Sequence, residues 1–223
     1  MRSSLAISAR LAIGLILAIG NAAVADVIDQ SYPAMSLGQE IGVGVPGDPI
    51  VAQSFTVGMD GELSAVKVLI SRDAGNAVGD LIAEIRPVVA GVPGDAASAL
   101  ASVTIAALSV PVLDIPAGYE PTQADLFSIL YDAPNVSVTS GDSLAIVLST
   151  TVTGGYSWVG SCSDGYPRGG RFYDIGSGFV STSDDLYFQT LVGPETPEPS
   201  TVVMLCMCPV GLLVCGRQKR RHG

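Results

Sequence analysis

The chain has 223 residues, a net charge of −10 and 48% hydrophobic residues, with 14% charged. All 21 acidic residues lie between Asp26 and Glu198, where only Lys67, Arg72, Arg86, Arg168 and Arg171 oppose them, leaving that span at −16. So acidic a body excludes nucleic acid and anionic lipid as partners, because phosphate binding needs a basic face.

In chain order, Arg2 and Arg10 precede an apolar stretch at residues 11–19, and the small residues Ala23 and Ala25 stand before Asp26. This pattern is a secretory signal peptide, residues 1–25, cleaved between Ala25 and Asp26. No cysteine lies near the cleavage site, which excludes a lipoprotein anchor.

The body, residues 26–195, is long enough for one domain with one core. It reads as strands at 52–57, 63–70, 81–89, 100–105, 126–131, 144–149, 156–159, 171–175 and 186–192. Phe55 and Val57 share a face. In the next segment Val66, Val68 and Ile70 fall on one side, with Leu63, Lys67 and Leu69 on the other. Leu81, Ala83 and Ile85 alternate with Glu84 and Arg86. Gly, Pro, Asp and Ser punctuate the gaps at 58–61, 91–95, 139–142 and 176–178. Residues 108–123 form a Pro/Gly loop with a short edge strand expected at 110–115. Short strands with such turns, and no amphipathic helix pattern, predict an all-β sandwich of two sheets. Cys162 is the one cysteine of the body, so its stability rests on packing rather than a disulfide, and Cys162 itself reads as a small buried hydrophobe.

The last 28 residues, 196–223, have three parts. Pro197-Glu198-Pro199 lies within 196–200, an apolar run fills 201–216, and Arg217, Lys219, Arg220 and Arg221 lie in the basic tail 217–223. Two prolines around a glutamate hold the backbone extended, in a form that an enzyme can read as a strand. The run is a short transmembrane helix, below the roughly 20 residues that span a bilayer comfortably, so snorkelling basic residues or local thinning must assist. Pro209 within it kinks a helix, which membrane segments tolerate. Basic residues outside both apolar stretches place both ends of the precursor in the cytoplasm and the body outside.

This order of parts resembles the PEP-CTERM sorting signal of Gram-negative bacteria that make extracellular polysaccharide. The resemblance implies processing near Pro197-Glu198-Pro199 by exosortase, a membrane protease-transpeptidase. It implies an inner-membrane precursor, then a cell-envelope or extracellular-matrix protein near extracellular polysaccharide. The residue before the motif is Thr196, where that family usually has valine. The strand phrases Ala52-Gln53-Ser54-Phe55-Thr56-Val57, Leu144-Ala145-Ile146-Val147-Leu148 and Asp185-Leu186-Tyr187-Phe188-Gln189-Thr190 are similar to the jelly-roll ectodomains called choice-of-anchor proteins. That resemblance implies a jelly-roll-like fold and transfers no functional residue.

Chemistry narrows by exclusion. The one histidine is His222 in the basic tail, so no Ser-His-Asp, Cys-His or histidine-zinc site exists in the body. A non-enzymatic protein without cofactor is the expectation. Gly42-Val43-Gly44-Val45-Pro46-Gly47 matches a dinucleotide-binding string, but Pro46, Pro49 and the lack of a helix pattern make it a loop. Asp73, Asn76 and Asp80 share a loop without the spacing of a known calcium loop, so a structural calcium is compatible with the acidity but has no assigned ligands. The alternative to a purely structural role is carbohydrate binding. Aromatic residues crowd the last quarter of the body, and Tyr156 and Trp158, two apart, share a strand face. With Tyr166, Arg168 and Arg171 they form the candidate ligand face, rings to stack on sugars and guanidinium groups to bond them. The competing reading makes Trp158 the core tryptophan of the sandwich.

Overall fold

The computed structural model describes residues 26–32, 38–43, 50–74, 79–113, 125–130, 136–150, 155–161 and 165–194. The signal peptide, Cys162, Asn76, the sorting motif, the apolar run and the basic tail lie outside them. Among the described residues no helix is long and apolar enough to cross a membrane. Two one-turn 3-10 helices, Ala96–Ser98 and Ala107–Ser109, lie among the described residues.

The strands in chain order are β1 (Val27–Tyr32), β2 (Gly38–Val43), β3 (Ile50–Thr56), β4 (Gly61–Val68), β5 (Ile70–Arg72) and β6 (Leu81–Val89). Then come β7 (Val92–Pro93), β8 (Ala101–Ile105), β9 (Phe127–Leu130), β10 (Val136–Val138) and β11 (Ser143–Thr150). The last are β12 (Tyr156–Ser161), β13 (Arg171–Asp174), β14 (Val180–Ser181), β15 (Asp185–Leu186) and β16 (Phe188–Gly193). The largest sheet runs β14-β13-β3-β11-β6-β8, with β7 folded back on the end of β6. A second runs β1-β16-β4, and β9 and β10 lie end to end along the far edge of β4. In the third, β12 pairs with β2 on one side and with β5 and β15 on the other. The described chain is therefore all-β with sandwich-like sheets.

Alternation decides what enters the core. Val51 and Phe55 of β3, Ile146 and Leu148 of β11, and Leu81, Ala83 and Ile85 of β6 line the inner side of the large sheet. They pack against Val66, Val68, Trp158 and Phe188 from the other two sheets. The aromatic members give the core much of its apolar area, each removing about 150–250 Å² from water. Glycine is demanded where strands pass closest. A Cβ at Gly160 would come within 2.3 Å of the Asp185 backbone oxygen.

Two expectations are corrected. Leu63 joins the same core as Val66 and Val68 rather than the opposite face. A bulge explains it: Leu191 pairs with Ala65 but Val192 pairs with Leu63, so the extra residue in β4 shifts the alternation by one. No strand forms from Val110 to Leu113, although the segment lies along β5. Arg72 N donates to Pro111 O at 2.8 Å and Leu113 N to Ser71 Oγ at 2.9 Å, while Pro111 has no N–H with which to complete a ladder.

Candidate functional site

The predicted aromatic face does not form. Trp158 is fully buried, and its indole N–H donates to Tyr187 O at 3.0 Å. It sits where the second and third sheets meet. There Leu69, Val159 and Tyr187 exchange backbone hydrogen bonds, Val159 N to Leu69 O at 2.8 Å and Tyr187 N to Val159 O at 3.0 Å. The same parity that puts Tyr156 and Trp158 on one face turns both inward, and the Tyr156 hydroxyl donates to Gly79 O at 2.7 Å. Burial, and then the nearby Asp80 carboxylate, raise the Tyr156 pKa, with Arg72 opposing. Tyr166 is buried edge-on against Phe188, centroids 5.1 Å apart, and its hydroxyl donates to Gln30 Oε1 at 2.9 Å. Burial pushes the Tyr166 hydroxyl up to about 12, with the neighbouring Arg168 guanidinium pulling it the other way. Arg171 is buried and ion-paired with Asp184. Of the five residues, Arg168 alone is exposed.

Beneath them lies a polar network that alternation alone did not announce. Gln53 points inward from the middle of β3 and is fully buried. Its Nε2 donates to Asp185 Oδ1 at 3.1 Å, and its Oε1 accepts from Leu186 N at 2.8 Å. Asp185 Oδ2 accepts from Gly165 N at 2.9 Å and Tyr166 N at 2.8 Å. One carboxylate thus ties the loop before β13 to both β3 and β15, while adjacent Asp184 faces Arg171.

The outer side of the large sheet carries a cleft of about 370 Å³. Ser54 and Thr56, the outward positions of β3, lie beside Ser143 at the start of β11. One wall is the β6–β7 hairpin, including Val88 and Gly91. The other comes from β13 and β14 through Phe172, Ser181 and Thr182, and the segment from Arg168 to Gly170 closes one side. That segment is held against β3: Thr56 Oγ1 donates to Arg168 O at 3.0 Å, and Ser54 N to Gly170 O at 2.9 Å. A Cβ at Gly169 would overlap the Ser54 carbonyl. Arg168 is the one predicted ligand residue that reaches this cleft. The other residues escaped sequence reasoning because small hydroxyl side chains next to turns carry no periodic signal.

Among the described residues no group of three or more His, Cys, Asp or Glu side chains converges to hold a metal. Asp73 is exposed, and Asp80 Oδ1 accepts from Ala107 N at 3.1 Å. Gly42 and Val43 of the glycine string belong to β2, and its remainder lies outside the described residues.

No protein-family model and no curated protein matches this chain. Among solved structures it is similar to the cysteine protease and lectin-like domains of Cwp84, a surface layer associated protein of Clostridium difficile, with a TM-score of 0.46 and 14% identity, covering 76% of this chain and 36% of that one. It is also similar to a clostridial Cwp84 cysteine protease variant after propeptide cleavage, TM-score 0.46 and 15% identity, covering 76% of this chain and 40% of that one. The chain spans well under half the length of either structure.

Proposed function

We propose that this is a non-enzymatic, exported protein with a jelly-roll-like β-sandwich body, sorted by its C-terminal signal to the cell envelope or extracellular matrix. The observation that carries the reading is the tripartite end of the chain, Pro197-Glu198-Pro199, the apolar run 201–216 and the basic cluster Arg217, Lys219, Arg220 and Arg221. Strand pairing supports it. β1 begins one residue after Asp26, β16 ends at Gly193, four residues before Pro197, and Val27 pairs with Val192. The described chain therefore begins and ends at the same end of the sandwich, which is compatible with two membrane-inserted ends of a single precursor. Cleavage at Ala25–Asp26 and near Pro199 removes no described strand.

Intact-mass analysis of the protein from its native envelope tests this. The expected mature form begins at Asp26 and ends near Pro199. Glu198→Ala combined with Pro199→Ala is expected to leave an uncleaved precursor in the inner membrane. A mature form that still carries Gly223 would replace sorting with simple anchoring by hydrophobicity and basic charge.

A further inference from the structure

The cleft on the outer face of the large sheet has a lining unlike the rest of this acidic body. Its hydroxyl side chains are Ser54, Thr56, Ser143, Ser181 and Thr182, and no Asp or Glu lines it. In a span carrying −16, a concavity without carboxylates is not a cation site; the one charged group on its lining is Arg168. Arg86 and Arg171 are committed to Glu84 and Asp184, whereas Arg168 is exposed at the rim, its Nη1 on the side of Gly58 and the Asp29 carboxylate, from which it would have to swing to meet a ligand in the cleft. Ser143 and Ser181 are exposed, with no side-chain hydrogen bond to a described residue. Thr182 Oγ1 is buried at the wall with no hydrogen-bond partner among the described residues, and rotation about one χ1 angle re-aims it. Phe172 and Val88 add apolar surface on opposing walls.

From these features we infer that the cleft binds a ring of a polysaccharide, and that Arg168 favours rings bearing a carboxylate. A sugar ring is amphipathic: its C–H face suits the Phe172 and Val88 walls, and its hydroxyls suit the serine and threonine groups, which both donate and accept. Thr56 Oγ1 and Ser54 Oγ are already bonded to Arg168 O and to Gly170, but a purely apolar ligand would strip water from Ser143 and Ser181 without replacing its hydrogen bonds. A polyphosphate needs more than one cation on so negative a body. The volume of about 370 Å³ sits at the small end of ligand pockets, ~300–1,000 Å³, which suits a single residue of a longer chain crossing the face. A guanidinium and a carboxylate can pair through two parallel hydrogen bonds, which gives the charged ring its preference. This inference stands apart from the sorting reading, because it concerns the folded body wherever the protein is delivered.

The test is calorimetric titration of the full chain, in a detergent without a sugar headgroup. The probes are tetramers of glucose, mannose and galactose and the matching uronate tetramers. Saturable binding is expected for at least one sugar series, with its uronate form the tighter. Ser143→Tyr fills the cleft from an exposed strand end and should weaken that binding at least tenfold. Ser137→Tyr, exposed on β10 of the second sheet, should leave it unchanged. Arg168→Gln should bring the uronate affinity down to that of the neutral tetramer while sparing the latter. If thermal unfolding shows that Ser143→Tyr is misfolded, Ser181→Tyr blocks the cleft from the opposite wall. The proposal is overturned if no tetramer binds saturably, if the cleft-filling variant binds as well as the parent, or if the uronate preference survives Arg168→Gln.

Discussion

Removing the Asp185 carboxylate should be among the costliest single changes in this body. It is 1% exposed and accepts three hydrogen bonds, from Gln53 Nε2, Gly165 N and Tyr166 N. In Asp185→Ala the three donors fare differently. Gly165 is exposed, so its N–H can turn to water. Gln53 Nε2 keeps a second acceptor in Ser54 O at 3.1 Å. The N–H of buried Tyr166 is stranded, which costs about 1–3 kcal/mol, and each lost bond to a charged acceptor adds to that. The net expectation is a loss of about 3 kcal/mol. Asp185→Asn separates the contributions. Its amide oxygen can keep both backbone donors, but its NH₂ then faces Gln53 Nε2, donor against donor. Gln53 cannot flip in response, because its Oε1 holds Leu186 N at 2.8 Å. About 1–2 kcal/mol is expected for that change. In a Gln53→Leu background the opposed donors vanish, so the same Asn step should cost less than about 0.5 kcal/mol, a coupling that a double-mutant cycle reads directly. Urea unfolding followed by the fluorescence of Trp158, the only tryptophan and fully buried, is the assay. A loss below about 0.5 kcal/mol for Asp185→Ala, at unchanged m-value, would falsify the network as a structural element.

Two further outcomes follow from local geometry. Tyr166 is held protonated up to about 12 in the fold but ionises near 10 when unfolded, so its contribution is complete below pH 10 and is lost as pH rises towards 12. Tyr166→Phe should flatten that alkaline decline, read by unfolding between pH 9 and 12; an unaltered decline would remove Tyr166 as its source. Ala90 has φ 52° and Gly91 φ 84°, the two positive values of a type I′ hairpin turn, and alanine is strained there. Ala90→Asn should stabilise by about 0.5–1 kcal/mol and raise the melting temperature by about 1–4 °C, whereas a fall would show that the turn is not strained.

How far the sequence could be read depended on which side of a strand carried the pattern. Leu81, Ala83 and Ile85 alternate with charged residues, and both their strand and their inward face follow directly. Parity places Tyr156 and Trp158 on one face without saying which, and the inward choice is made by packing into the core that Val66, Val68 and Phe188 share. β1 and β2 went unrecognised because their segments, VIDQSY and GQEIGV, lack an apolar rhythm. β1 exposes Val27 and Ile28 while burying Gln30, and only pairing with β16 makes that sequence a strand. Leu63 was misplaced because a bulge is invisible to a period of two. The cleft is illegible for a related reason: its five hydroxyls come from three separate segments, β3, the start of β11 and the end of β14, so nothing local marks them as neighbours.

The two buried ion pairs connect this fold to its candidate site. Arg86 and Glu84 occupy the outer side of β6, which alternation assigned to them, yet both are buried. Arg86 also donates to Gly94 O at 3.1 Å, and its guanidinium lies 6.0 Å from the Phe179 ring. It therefore touches the loop after β7 and the β13–β14 hairpin at once, and these hairpins form opposite walls of the cleft. Phe179 reaches that position directly after the turn through Gly176 and Gly178, with Asp174 Oδ1 accepting both glycine N–H groups at 2.7 and 2.9 Å. On the inner side, Arg171 and Asp184 join β13 to the segment that leads into β15. Pairs as buried as these give up hydration for attraction and add little net stability, so their value lies in fixing one arrangement over others. Here that arrangement is the spacing of the two walls. Replacing Glu84 and Arg86 together with apolar residues of similar size should accordingly leave the melting temperature nearly unchanged while loosening the cleft, whereas removing Glu84 alone strands a buried guanidinium and should destabilise the body by about 3 kcal/mol.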